Sequence, residues 1–112
     1  MKFLVIALYA MSFGSACAKE QYTVASALTK ANQAWLNERI ETIGTTLMWA
    51  NDYANDNGPG IFCPPPNATV AGPQWRLMLE HTLKAMPSYH DIELEKLPLV
   101  MISAAEITFP CR

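Results

Sequence analysis

The stretch from Tyr22 to Asn55 contains no proline and a single glycine, Gly44, and its apolar residues recur at the spacing of an α-helix. The phase of this pattern slips by one residue near Gln33. Asn32, a residue type that favours the N-cap of a helix, stands beside the slip. The stretch therefore predicts a short first helix and a long second one. The apolar positions of the first pattern are Val24, Leu28, Ala31 and Trp35, and those of the second pattern are Leu36, Ile40, Ile43, Leu47, Ala50 and Ala54.

Turn-forming residues and prolines separate this region from the rest of the chain. The segment 55–60, Asn-Asp-Asn-Gly-Pro-Gly, favours turns and positive φ, so it predicts a loop. Pro64, Pro65 and Pro66 then form a stiff, extended connector that cannot be helical.

Two further helices are predicted after the connector. Thr69 is the expected start of the third helix, Pro73 fits its first turn and Pro87 ends it. The last helix is expected over residues 97–107, with Pro98 in its opening turn. No segment alternates in the manner of a β-strand, so the sequence predicts an all-α fold.

The first 18 residues have the features of an export signal. A positive start and an unbroken apolar run, Phe3–Met11, precede Ala16-Cys17-Ala18, the small residues that signal peptidase accepts. We therefore predict a signal peptide over 1–18, cleavage before Lys19, a periplasmic location and a single domain over 19–112. The run is about half of the roughly 20 residues that span a bilayer, so no permanent membrane span is expected. Lipoprotein processing at Cys17 is the alternative.

Removal of the signal leaves two cysteines, Cys63 and Cys111. Disulfides persist in an exported protein, so we expect these two residues to be bonded to each other. The chain-entropy estimate assigns such a loop about 4 kcal/mol, a large share of the stability of a small domain. The predicted architecture is a small bundle of about four helices closed by one disulfide.

Charge and motif content exclude several functions. Ten acidic and eight basic side chains give a net charge of −2, and the basic ones are scattered, so no nucleic-acid partner is expected. Ser88, His90 and Asp91 have the residue types of a hydrolase triad, but neighbours in one turn point in divergent directions. We therefore expect neither enzymatic activity nor a cofactor. The possible metal ligands lack the tight spacing of zinc motifs; they are His81, His90, Asp91, Glu93 and Glu95.

Three tryptophans are large enough to serve either the core or an interface. We expect Trp35 and Trp75 in the core and Trp49 exposed, because Trp49 stands off the apolar seam that runs from Leu36 to Ala54. The seam has coiled-coil-like spacing, which suits either packing within the bundle or a helix-paired homodimer.

The C-terminal half combines two cysteine motifs in a fixed order. Ile61-Phe62-Cys63-Pro64-Pro65 is followed by Thr69-Val70 before an amphipathic helix, and the last helix ends in Phe109-Pro110-Cys111. This order resembles the Rap/Tai immunity proteins of type VI secretion systems, over roughly Ile40 to Cys111. Many members have a second cysteine pair in the first two helices, whereas this chain has none between Lys19 and Phe62.

The resemblance implies a periplasmic, usually dimeric protein that binds and occludes a peptidoglycan-cleaving amidase injected by a neighbouring cell. Such an inhibitor needs a stiff scaffold and a protruding loop that plugs the catalytic groove. Two polar turns between helices are the candidates for this loop. The first comprises Asn55, Asp56, Asn57, Gly58 and Pro59, continuing to Gly60, and the second comprises Ser88, Tyr89, His90 and Asp91.

A periplasmic acid-stress chaperone is the alternative function. Small exported helical proteins with one disulfide include chaperones that unmask apolar surface when carboxylates are protonated, and ten acidic side chains are compatible with this behaviour. A chaperone would suppress aggregation of unrelated proteins at low pH. An immunity protein would bind one enzyme tightly near neutrality.

Overall fold

The computed structural model describes residues 21–111, and regular structure in this range is helical. Two short 3₁₀ turns, Pro87–Tyr89 and Leu94–Lys96, precede the last helix. The described range contains no β-strand, although an isolated bridge joins Thr23 to Glu93. The predicted all-α bundle is therefore confirmed. Its helices are α1, Val24–Lys30; α2, Gln33–Asp56; α3, Gly72–Ala85; and α4, Leu97–Thr108.

The features predicted at the N-terminus lie outside the described residues. They are the signal peptide over 1–18, the cleavage before Lys19 and the lipidation alternative at Cys17. Among the helices of the described range, none has the length and apolar content that a bilayer crossing demands. α2 is the longest, with 24 residues.

The second helix begins at the predicted cap, and each of the first two helices has a side-chain cap. The Thr23 hydroxyl accepts a hydrogen bond from the N–H of Ser26 (3.0 Å) at the start of α1. The Asn32 carboxamide oxygen accepts one from the N–H of Trp35 (3.0 Å) at the start of α2. The break between the helices lies immediately before Gln33, at the predicted phase slip.

The two later helices each have a proline at their second position, as predicted. α3 begins at Gly72, however, and the prediction that it starts at Thr69 is wrong. A side chain inside the first turn supplies the cap instead, since the Gln74 carboxamide oxygen accepts a hydrogen bond from the N–H of Ala71 (2.8 Å). Thr69 belongs to the connector.

α2 and α3 pack antiparallel and form the main contact of the bundle. Gly72 lies beside Glu41, and Arg76, one turn later in α3, donates through Nη1 to Oδ1 of Asn37, one turn earlier in α2 (2.6 Å). α4 packs against α3, and α1 packs against α2. The large buried side chains of this core include Val24, Leu36, Ile40, Leu47, Phe62, Trp75, Leu79, Leu83, Leu97, Val100 and Met101.

The predicted seam of α2 agrees with the structure as far as Leu47. In the next turn Asn51 faces the interior, whereas Ala50 is exposed. The core contact moves to this side of the helix because the chain returning from the loop packs there, with Phe62 fully buried.

The tryptophans divide differently from the prediction. Trp75 is in the core, 1% exposed, and Trp49 is 74% exposed, as predicted for both. Trp35 was expected in the core but is 47% exposed. It lies in the first turn of α2 on the outer face of the helix, where the Arg39 guanidinium stacks 5.5 Å from its ring centroid.

Candidate functional site

The Asn55–Gly60 loop projects from the C-terminal end of α2. The helix ends at Asp56, so Asn55 and Asp56, which were predicted in the loop, form its last turn and only the tip beyond them is irregular. The Asn57 carboxamide caps the helix by donating to the carbonyl of Tyr53 (2.9 Å). Gly58 follows with φ of +155°, a conformation that L residues rarely adopt. The chain therefore turns back sharply at the tip. The exposed loop side chains are those of Asn55, Asp56, Asn57 and Pro59.

Asn51 holds the base of this loop. Its side chain is 1% exposed, and its Oδ1 accepts hydrogen bonds from the N–H groups of Ile61 (2.7 Å) and Phe62 (3.0 Å). Its Nδ2 donates to the Phe62 carbonyl (2.8 Å). These three bonds satisfy backbone groups where the chain re-enters the core, groups that would be costly to bury without partners.

The segment after the loop is fixed to α4 and to the core. Cys63 and Cys111 form the predicted disulfide, with α-carbons 5.0 Å apart, and the N–H of Cys63 donates to the carbonyl of Phe109 (2.7 Å). The Phe62 ring meets the Trp75 indole edge-to-face, with centroids 6.1 Å apart. The tip of the loop is thus exposed, while its base is held by hydrogen bonds, a covalent link and aromatic packing.

In the second predicted turn, Ser88–Asp91, two side chains form hydrogen bonds to other parts of the bundle. The Tyr89 hydroxyl hydrogen-bonds the hydroxyl of Ser103 in α4 (3.0 Å). His90 Nε2 lies 2.7 Å from the carbonyl of Leu83. Because a carbonyl can only accept, Nε2 is the donor in this bond. Ser88 and Asp91 are exposed.

The structure places the two turns at opposite ends of the bundle. The Asn55–Gly60 loop follows the C-terminus of α2, whereas Ser88–Asp91 follows the C-terminus of the antiparallel α3. The second turn leads directly to α1, since the Ile92 carbonyl accepts a hydrogen bond from the N–H of Val24 (2.8 Å). A 24-residue helix is about 36 Å long, so the two turns do not form one contact surface.

A surface groove of about 310 Å³ lies where the segment before α1, the first turns of α2 and the segment before α4 meet. Trp35 and Arg39 line it together with two carboxylates, Glu93 and Glu95. A side-chain hydrogen bond with Glu93, and the negative charge of Glu93, raise the pKa of Glu95 above its ordinary value of 4.5. Within residues 21–111, no three His, Cys, Asp or Glu side chains are grouped closely enough to hold a metal ion.

Sequence reasoning identified the loop but not the residue that holds it. The available signal was a polar residue one turn after Leu47, on the apolar side of α2 and shortly before the Ile61-Phe62-Cys63 motif.

Comparisons of the chain with family models, with curated proteins and with solved structures find no match.

Proposed function

We propose that this protein is a periplasmic immunity protein that binds and occludes a type VI secreted peptidoglycan amidase, and that it acts by binding alone. The observation that carries the proposal is the Asn55–Gly60 loop, which is exposed at its tip and held at its base by Asn51. This is the arrangement that a plug for a catalytic groove requires.

The supports of the loop lower the cost of binding. Ordering a flexible loop at an interface costs about 0.5–1.5 kcal/mol for each side chain that is immobilised. Here Asn51 and the Cys63–Cys111 disulfide fix the base before any partner arrives. More of the contact energy is then available as affinity, as in other inhibitors that change little on binding.

The Ser88–Asp91 turn is the weaker candidate for the plug. Tyr89 and His90 would have to break their hydrogen bonds with Ser103 and Leu83 in order to reach into a partner. The loop at the end of α2 demands less, because Asp56 and Pro59 are exposed and the hydrogen bond of Asn57 to the Tyr53 carbonyl stays within the same helix end. We therefore assign amidase binding to the Asn55–Gly60 loop.

The proposal includes the cell compartment and the assembly state. An export signal over 1–18 would deliver the chain to the periplasm, where peptidoglycan is exposed to an injected amidase. The same compartment supports a disulfide. A homodimer is the assembly that the resemblance implies.

The test is inhibition of type VI amidases, each purified and assayed on isolated peptidoglycan. The mature chain should inhibit one of them stoichiometrically at neutral pH. Asp56→Arg and Pro59→Arg should raise the inhibition constant by more than about tenfold, because the first reverses the charge next to the tip and the second adds a bulky cation to it. Asp91→Arg, in the other turn, is the matched control and should have little effect. Absence of inhibition across the amidases would refute the proposal.

The acid-stress chaperone is the other outcome of the same series. Suppression of aggregation of unrelated proteins at low pH, without inhibition of any amidase, would favour it. The shift at Glu95 does not support it, because a raised pKa means that protonation at this one exposed position favours the folded chain. An acid-activated chaperone needs protonation to loosen the fold.

A further inference from the structure

The outer face of α2 has an aromatic stripe that the fold does not bury. Trp35, Trp49 and Tyr53 are 47%, 74% and 73% exposed. Trp35 and Tyr53 are 18 positions apart, which is five helical turns, so they lie on one line along the helix, and Trp49 lies one turn before Tyr53. Thr42 and Thr46 are exposed on the same face between the aromatic residues. These five residues are the aromatic stripe.

The stripe is separate from the face of α2 that packs in the core. Leu36, Ile40 and Leu47 lie on the opposite side of the helix and are buried. The coiled-coil-like spacing that could have paired two chains is therefore used inside one chain. The aromatic stripe is the face of α2 where large apolar side chains are exposed, so it is the face that suits a contact between two copies.

The stripe is large enough to contribute most of a small interface. An aromatic side chain buries about 150–250 Å² when fully covered. Covering the exposed parts of Trp35, Trp49 and Tyr53 would therefore remove roughly 400 Å² of surface per copy from water, or about 800 Å² from two copies. Stable interfaces bury about 1,200–2,000 Å² in total. The two threonines and the Arg39 stem, which lie among the aromatics, bring a pair of copies to the lower end of that range.

We propose that the aromatic stripe is the contact surface of a homodimer in which two α2 helices pair antiparallel. This deepens the homodimer part of the proposed function. In a two-fold dimer, each residue meets the residue at the same distance on the other side of the midpoint. With the midpoint at position 44, Trp35 meets Tyr53 of the second copy and Thr42 meets Thr46. The small central side chains let the helices approach, and the aromatics cover both ends.

Charge favours the antiparallel arrangement over the parallel one. Glu38 and Arg39, which have opposite charges, lie near the Trp35 end of the stripe, whereas Asp52 and Asp56 lie near the Tyr53 end. Antiparallel pairing places the acidic end of each copy opposite an end of the other copy where these two charges balance. Parallel pairing would place two Asp56 carboxylates side by side, and like charges across an interface disfavour association.

The first experiment measures the assembly state of the mature chain by sedimentation equilibrium at neutral pH. Trp49→Asp and Tyr53→Asp should each raise the dimer dissociation constant by about tenfold or more. Leu77→Asp and Leu99→Asp are matched controls, because these leucines are 66% and 64% exposed on α3 and α4. The controls should leave the constant unchanged, and circular dichroism should give the same helix content for all four variants.

The second experiment tests the orientation by disulfide capture. A Trp35→Cys chain mixed with a Tyr53→Cys chain should form a covalent heterodimer under mild oxidation. Each variant alone should form little, because antiparallel pairing separates identical ends by about 27 Å. Covalent homodimers of each variant alone would overturn the antiparallel arrangement.

Neither experiment involves an amidase, so the dimer and the proposed function fail separately. A wild-type chain that stays monomeric at every concentration, or a dimer that the stripe variants leave intact, overturns the inference. Loss of amidase inhibition by stripe variants of a monomeric chain would also overturn it, and would assign the stripe to the amidase.

Discussion

Gly44 and Trp75 are in direct contact across the α2–α3 interface, where a β-carbon at Gly44 would overlap the indole ring. Glycine inside a helix costs roughly 1 kcal/mol relative to alanine, so its place in the middle of α2 needs a reason. The reason is the indole, which is 1% exposed and lies against the backbone of α2. This contact sets how closely the two helices approach.

Gly44→Ala should therefore destabilise the protein, although alanine is the better helix former. Helix propensity would add about 1 kcal/mol of stability, whereas overpacking in a core costs about 1–3 kcal/mol. We expect a net loss of about 1 kcal/mol in urea unfolding. In a Trp75→Leu background the overlap is removed, so the same change should become neutral or stabilising. A Gly44→Ala protein that is more stable than wild type would contradict the contact.

Asn51→Ala should lower the free energy of unfolding by about 3 kcal/mol, because it leaves the backbone N–H groups of Ile61 and Phe62 without acceptors. Thermal or urea unfolding measures the loss, and hydrogen exchange of these two amides should accelerate in step with it. Asn55→Ala is the matched control, since this asparagine is exposed, and it should change stability by less than about 0.5 kcal/mol. Equal losses in both variants would show that Asn51 does not hold the loop.

Loss of the Cys63–Cys111 disulfide should lower the free energy of unfolding by about 4 kcal/mol. The double variant Cys63→Ser/Cys111→Ser and the reduced wild-type chain should agree, because both release the same loop. Denaturation with and without reductant makes the comparison. A reductant-insensitive unfolding midpoint in the mature chain would contradict this stabilising role.

The second turn should respond to substitution through stability. Tyr89→Phe and His90→Ala each remove one hydrogen bond to another part of the bundle. We expect each variant to lower the free energy of unfolding by about 1 kcal/mol. Ser88→Ala and Asp91→Ala alter exposed residues of the same turn and serve as controls. If the controls lose as much stability as the first pair, these two hydrogen bonds are not the source.

The Glu93–Glu95 pair predicts a pH dependence of stability with a definite sign. The pKa of Glu95 is raised in the folded chain, so its contribution is fully present below pH 4.5 and is lost as the pH rises through the raised value. Glu95→Gln removes this titration and should flatten the curve of Tm against pH just above 4.5. Glu106→Gln, an exposed glutamate on α4, is the control. An unaltered curve in Glu95→Gln would show that this pair does not set the slope.

Patterns with a local physical cause predicted most of the fold. The helical spacing, the Asn32 cap and the prolines in the first turns all act within one helical turn, and each agrees with the structure. The disulfide followed from the number of cysteines left after export. The loop was visible from its turn-forming composition.

The remaining features depend on segments distant in sequence. Nothing near Asn51 shows that the chain returns to it at Ile61 and Phe62. The spacing of Trp35 suits a core position, and its exposure follows from how the other helices pack. From the sequence, Tyr89 and His90 look free to contact another protein, because the groups that they hydrogen-bond, on Ser103 and Leu83, lie in other helices.

Asn51 forms its hydrogen bonds with main-chain atoms of Ile61 and Phe62 and with no side chain of the loop. The side chains at the tip can therefore be exchanged while the same three bonds keep the base in register. Under the proposed function, a lineage that meets a new toxin can alter recognition by substitutions at the tip, without redesigning the bundle. Specificity and foldability can then evolve at separate positions of one short chain.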